Sequence, residues 1–172
     1  MSSRFLSYKR VDVTIEAFNL LQLPLVIIGD GPERKYLESI AGSTIKFLGY
    51  VSDRKRRDLM AKARGVVVSA LEDYGLVPVE ANASGTPVIA YGAGGVLDTQ
   101  IHGKTGILFP QQTATSLATA IIQAQNTPWN YADIRNHALN NFSEIIFFDK
   151  VEQFLAQVCD IKLSYWQQKS VA

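Results

Sequence analysis

Glu72-Asp73-Tyr74-Gly75-Leu76-Val77-Pro78-Val79-Glu80 reads as a strand delivering a loop and then the first turn of a helix. Upstream, Val66 to Ser69 is a short β-branched run bounded by Gly65, the pattern of a buried strand. Pro78 suits a first helical turn, where its missing N–H would have had no partner. The helix runs on through Glu80-Ala81-Asn82-Ala83-Ser84 and stops at Gly85, and the next strand spans Pro87 to Tyr91. Such a unit leaves the N–H groups of Gly75, Leu76 and Val77 pointing out of a helix N-terminus, a site for a phosphate or another anion, and Gly75 lets the ligand come close. The two glutamates then need a target other than the phosphate. A polyol provides one, because a carboxylate can accept hydrogen bonds from two adjacent hydroxyls. Position 77 is Val, so Glu80 does not belong to a capping box. Dipole compensation at Glu80 and a solvated turn at Glu72-Asp73 remain open on spacing alone.

The chain has 172 residues, 47% of them hydrophobic, enough for one well-buried domain and too few for two of ordinary size. A net charge of +1 and a pI near 7.8 give no bulk electrostatic case for nucleic acid or an anionic membrane surface. No apolar run is long enough to span a bilayer and no signal-peptide h-region opens the chain, so a cytoplasmic protein is expected. Cys159, the single cysteine, falls in an apolar-periodic stretch and is expected to pack rather than react.

Working outward, Phe5 and Leu6 read as the end of a strand, so the chain is expected to begin in mid-strand. Val11, Ile15, Phe18 and Leu21 then fall at helical spacing. Leu25 to Ile28 and Ile45 to Leu48 are further apolar strands. The first is followed by Gly29-Asp30-Gly31-Pro32 and a helix to Gly42, the second by a helix capped at Ser52 or Asp53 and running to about Arg64. Gly92-Ala93-Gly94-Gly95 leads into a short helix over Val96 to Ile101, Ile107 to Phe109 is the last strand, and everything from Trp129 onward is helical in pattern. Apolar strands alternating with helices predict an α/β, doubly wound, Rossmann-like parallel sheet, with ligands at the carboxyl ends of the strands.

Several strings are weaker than they look. Gly29-Asp30-Gly31 lacks the third glycine of a dinucleotide fingerprint, since position 34 is Arg. Gly103-Lys104-Thr105 imitates a P-loop ending, but the glycine it requires upstream falls at Asp98. The run Arg54-Lys55-Arg56-Arg57 reads as a solvated helix face. His102 and His137 have no ligand-spaced partners and no Asp-x-Asp pair exists, so no metal is expected. Arg4 and Lys9, flanking the loop after the first strand, can then neutralise a diphosphate held at Gly75 to Val77. Each charge-assisted hydrogen bond would contribute roughly 1.5–3 kcal/mol.

Taken in order, Arg4 to Asp12, Gly29-Asp30-Gly31-Pro32, Phe47 to Val51, Glu72 to Ala90, Gly94-Gly95 and Gly103 with Thr105-Gly106 resemble the carboxyl-terminal, donor-binding domain of the retaining GT-B glycosyltransferases of family 4, or group 1. The resemblance implies that Glu80 holds the ribose diol and that Glu72 contacts donor-sugar hydroxyls. It further implies that Arg4 and Lys9 stabilise the diphosphate with the amides of Gly75, Leu76 and Val77, and that Val51 and Arg56 lie against the nucleobase. Asp73, Tyr74, Asp98 and Ser3 depart from the usual Gly, Phe, Glu and Gly. The implied activity is transfer of a sugar from a nucleoside-diphosphate donor to an acceptor hydroxyl with retention and without metal or other cofactor. A non-catalytic nucleotide-sugar binding module or remnant and a sugar-nucleotide epimerase are the alternatives.

Residues 1–172 are expected to form one nucleotide-sugar-binding domain, with 143–172 a C-terminal helical segment and tail. The acceptor domain is expected to be absent, the chain being either an excised or naturally truncated domain or one completed by an amino-terminal half on a partner chain. Ile145, Ile146, Phe147, Phe148 and Phe154 are either core or a surface for that partner, with self-association as the expected consequence of exposure.

Overall fold

The computed structural model describes residues 1–159. After a 3-10 turn at Ser7–Lys9, helices and strands alternate in order: α1 (Val11–Leu21), β1 (Leu25–Ile28), α2 (Arg34–Ile40), β2 (Ile45–Gly49), α3 (Asp53–Lys62), β3 (Val66–Val68) and α4 (Leu76–Ala83). There follow β4 (Val88–Tyr91), α5 (Val96–Thr99), β5 (Gly106–Phe109), α6 (Ala114–Asn126), α7 (Tyr131–Phe142) and α8 (Glu144–Cys159). All strand pairs are parallel, as continuous apolar strands covered on both faces require.

Successive side chains of a strand point to opposite faces, and the core divides accordingly. Val67 and Ile89 pack with Phe5, Val11, Ile15, Leu117 and Ile121 under α1 and α6. Val66, Val68, Val88 and Ala90 pack with Met60, Ala81 and Val96 under α3, α4 and α5. This is a doubly covered, Rossmann-like arrangement.

The hydrogen-bonded ladder is not continuous. Strands β1 and β2 form one sheet and β3, β4 and β5 another. Met1 to Phe5, the expected strand end, runs beside β1. The Met1 carbonyl accepts from Ile28 N at 2.9 Å, Ser3 N donates to Ile28 O at 3.0 Å and Phe5 N to Asp30 O at 2.9 Å. Only a single bridge, Ser2 with Ile28, has strand geometry there.

Helices α2, α3 and α5 are shorter than the pattern predicts, α2 ending at Ile40. Helix α3 ends at Lys62, and α5 ends at Thr99 because Gln100 is extended and the Ile101 amide turns to the Thr105 hydroxyl at 2.8 Å. At the C-terminus α8 packs on α7 and leaves Ile145, Phe147, Phe148 and Phe154 exposed, so most of that apolar cluster is surface rather than core. The surroundings of Cys159 and the tail 160–172 lie outside the described residues.

The first segment is held against β1 by a glycine. Gly29 has φ +125°, and a Cβ there would run into the Ser3 carbonyl. Gly29→Ala should therefore lower the unfolding free energy by about 1–3 kcal/mol, read from the urea midpoint. An unchanged midpoint would show that Met1 to Phe5 does not pack there.

Candidate functional site

The end of β3 is tied to the start of α1 through one buried hydroxyl. Ser69, fully buried just after β3, donates to the Arg10 carbonyl at 2.7 Å and shares a hydrogen bond with Thr14 Oγ1 at 2.8 Å. Its own carbonyl accepts from Gln112 Nε2 at 2.8 Å. Arg10 enters α1 in the left-handed conformation, φ 49°, so the loop before α1 turns sharply back onto the end of β3. That turn brings Lys9 to Glu72. The ammonium lies 2.8 Å from both carboxylate oxygens, and both side chains are mostly buried.

Glu72 is fixed from its other side by the loop after β4. Its carbonyl accepts from Gly95 N at 2.8 Å, and its backbone bridges Gly94. Side chains at positions 94 and 95 would collide with the carbonyls of Glu72 and Asp73, which is why two glycines stand there. The Lys9 ammonium also sits 4.9 Å from the Tyr8 ring centroid, and Arg4, exposed, donates to the Tyr8 hydroxyl at 3.1 Å.

Gly75, φ 81°, is the N-cap of α4, and Pro78 sits in the first turn, as the sequence predicts. The first-turn amides have no intrahelical acceptor and face a cleft of about 510 Å³. Arg4, Lys9, Val51, Arg56, Glu72, Gly75, Leu76 and Val77 all line this cleft, together with Asp30 and Tyr50. Asp30 is held below the usual carboxylate range, first by the Gly31 N–H and then by Arg34.

Glu80 is the one site residue of the sequence reading that does not line the cleft wall. It reaches it through Arg56, whose Nη2 donates to Glu80 Oε1 at 3.0 Å while Nη1 takes Oε2. That hydrogen bond raises the guanidinium pKa. Arg54, Lys55 and Arg57 are exposed as a solvated face predicts, but Arg56 is not one of them. Sequence reasoning missed the ion pair between α3 and α4, the Ser69–Thr14 clamp and Tyr50. Only Tyr50 had a local signal, an aromatic beside Val51 in the loop after β2.

Residues 1–141 match the model of the family described as glycosyl transferases group 1. The chain belongs to that family. A glycosyltransferase of Methanocaldococcus jannaschii is 30% identical over 146 residues, 81% of this chain but 37% of that protein. Among solved structures, Anabaena HepE in complex with UDP and glucose superposes with a TM-score of 0.75 at 26% identity, covering 91% of this chain and 47% of HepE. Sucrose-phosphate synthase from Thermosynechococcus elongatus gives a TM-score of 0.78 at 28% identity, covering 90% and 43%. The chain thus spans less than half the length of these relatives, and its fold is that of GT-B glycosyltransferase domains.

Among the described residues no cluster of three or more His, Cys, Asp or Glu side chains gathers, and no helix is long and apolar enough to cross a membrane. Removing the Ser69 hydroxyl should leave the Arg10 carbonyl and Thr14 unpaired in the core. Ser69→Ala is expected to cost about 1–3 kcal/mol in urea unfolding, and a cost near zero would mean that the clamp does not hold the site together.

Proposed function

We propose that this chain is the donor-binding half of a retaining glycosyltransferase, holding a nucleoside-diphosphate sugar in the cleft at the N-terminus of α4. The observation that carries this reading is the convergence of Lys9, Arg4, Glu72 and the first-turn amides of α4 on one cleft. A relative of the same fold, HepE, carries UDP and glucose in its crystals.

Each part has a physical role in this reading. A diphosphate at α4 meets unpartnered N–H groups and the positive end of a helix dipole. Lys9 gives two of its three N–H donors to Glu72 and keeps one for phosphate, and Arg4 adds a second cation at the mouth. Lys9 in turn neutralises Glu72, which lets a carboxylate stand beside the diphosphate and accept hydrogen bonds from the donor sugar. Glu80 takes the ribose diol, for which Arg56 must share or yield the carboxylate, and Val51 and Arg56 border the base.

In the transfer, the bond between the anomeric carbon and the diphosphate oxygen breaks as the acceptor oxygen bonds to that carbon with retention, and the acceptor hydroxyl's proton passes to the departing diphosphate. The negative charge passes to the diphosphate. Preorganised donors aimed at that charge supply the catalysis, with no metal and no protein nucleophile. The acceptor surface belongs to a second domain or chain, for which the exposed apolar side of α8 is the docking face, or the place where two copies associate.

A thermal-shift titration with UDP, GDP and ADP tests the reading. Saturation at about a hundredfold excess over Kd stabilises the fold by roughly 2.7 kcal/mol, several degrees for a domain of this size. One nucleotide should give that rise without metal, Glu80→Ala should weaken it at least tenfold, and Glu72→Ala should leave nucleotide affinity nearly unchanged. No rise with any nucleotide, or full affinity in Glu80→Ala, would contradict the assignment.

A further inference from the structure

The two cations of the cleft are joined by a side chain that does not line it. Tyr8 sits in the middle of the 3-10 turn Ser7–Lys9, which is closed by hydrogen bonds from Lys9 N to the Leu6 carbonyl at 2.9 Å and from Arg10 N to the Ser7 carbonyl at 3.1 Å. No residue of that turn is buried, and Tyr8 is 52% exposed, so its ring does not stand there to fill the core. A single exposed tyrosine is ordinary on a protein surface. This one holds a cation at each end.

The Tyr8 hydroxyl accepts from Arg4 Nη2 at 3.1 Å, and the ring centroid lies 4.9 Å from the Lys9 ammonium. A cation within about 6 Å of an aromatic centroid is attracted to the ring. Glu72 takes two of the three ammonium N–H groups, each at 2.8 Å, and the lysine side chain is only 14% exposed. Held by the carboxylate and the ring together, the ammonium keeps its remaining N–H for the cleft that Lys9 lines. For Arg4 the tyrosine hydroxyl is the tether: among the described residues its exposed guanidinium makes no other hydrogen bond or ion pair.

The backbone at both ends of this loop is anchored already. Phe5 is fully buried and its N–H donates to the Asp30 carbonyl at 2.9 Å, while the Arg10 carbonyl accepts from Ser69 at 2.7 Å. What remains to be ordered are two long cationic side chains, which carry the largest rotamer entropies of any residues. Tyr8 orders both.

We propose that Tyr8 is a positioning residue for the diphosphate: its hydroxyl and its ring hold Arg4 and Lys9 as one two-cation clamp before the ligand arrives. Binding then proceeds without the loss of affinity that ordering those side chains would bring. The inference rests on the reading of the cleft as a nucleoside-diphosphate site, and Tyr8 acts in it through the cations rather than on the ligand.

The test measures, by titration calorimetry on the full chain, the affinities of UDP, GDP and ADP, of the matching nucleosides and of inorganic pyrophosphate. Tyr8→Phe keeps the ring and removes the hydroxyl, and should weaken the bound nucleotide and pyrophosphate by about 2- to 10-fold, the cost of ordering one arginine on binding. Tyr8→Leu removes both contacts and should weaken them by roughly tenfold or more. Neither should change nucleoside affinity. In an Arg4→Ala background Tyr8→Phe should have no further effect, because the hydroxyl has lost the group it acts through. Equal losses for nucleoside and nucleotide would make Tyr8 a purely structural residue, and additive effects of Tyr8→Phe and Arg4→Ala would show that the hydroxyl acts independently of Arg4; either overturns the proposal. Unchanged nucleotide affinity in both Tyr8 variants overturns the clamp alone. No binding by the unaltered chain overturns the reading of the cleft and the clamp with it.

Discussion

The hydrogen bonds of the Ser69 hydroxyl to Arg10 and Thr14 are the constraint on which the candidate site depends. They join the end of β3 to the start of α1, two points 59 residues apart in sequence, and so set the distance between the loop carrying Lys9 and the loop carrying Glu72. Without that clamp the Lys9–Glu72 pair would join two loops free to part. With it, the pair forms in a largely buried setting, where charge-assisted hydrogen bonds are stronger than at an exposed surface.

The same clamp aligns the site with the one element able to receive an anion without help from side chains. The N-terminus of α4 begins four residues after Glu72, at Leu76, and Gly75 in the left-handed conformation makes the turn into it. The Gly94-Gly95 backbone presses on Glu72 and Asp73 from the far side, so the loop between β3 and α4 is held from both flanks. Cations, acids and amides around the cleft thus come from three loops and two helix starts, all positioned by short strands, of which β3 is buried along its whole length. This division of labour, rigid strands beneath and chemistry in the loops, is what a doubly wound sheet provides.

Much of this was legible in the sequence. Apolar runs flanked by glycines marked the strands. Pro78 and Gly85 bracketed α4, and of the two caps expected for α3, Ser52 and Asp53, it is Ser52 that accepts from Lys55 N. What could not be read were relations between distant residues. Nothing local distinguishes Arg56 from Arg54, Lys55 and Arg57, because its role follows from facing α4 across the packed pair of helices. Thr14 and Ser69 look like ordinary polar residues in a helix and at a strand end until the fold brings them together. The interruption of the ladder between β1 and β3 was equally hidden, since each strand's apolar pattern is the same whether or not its far edge is paired. The large apolar residues of α8 carried both readings, core and surface, and their exposure beside α7 decided between them.

The central claim is that a diphosphate sits between Lys9 and the first turn of α4. It is tested most directly by following backbone amide resonances of the chain as UDP is added. The largest shifts should fall on Gly75, Leu76, Val77 and Lys9, with smaller ones at Val51, because amides that bond a phosphate feel its charge most strongly. Shifts concentrated elsewhere, or a nucleotide that binds while the α4 amides stay unmoved, would contradict the account.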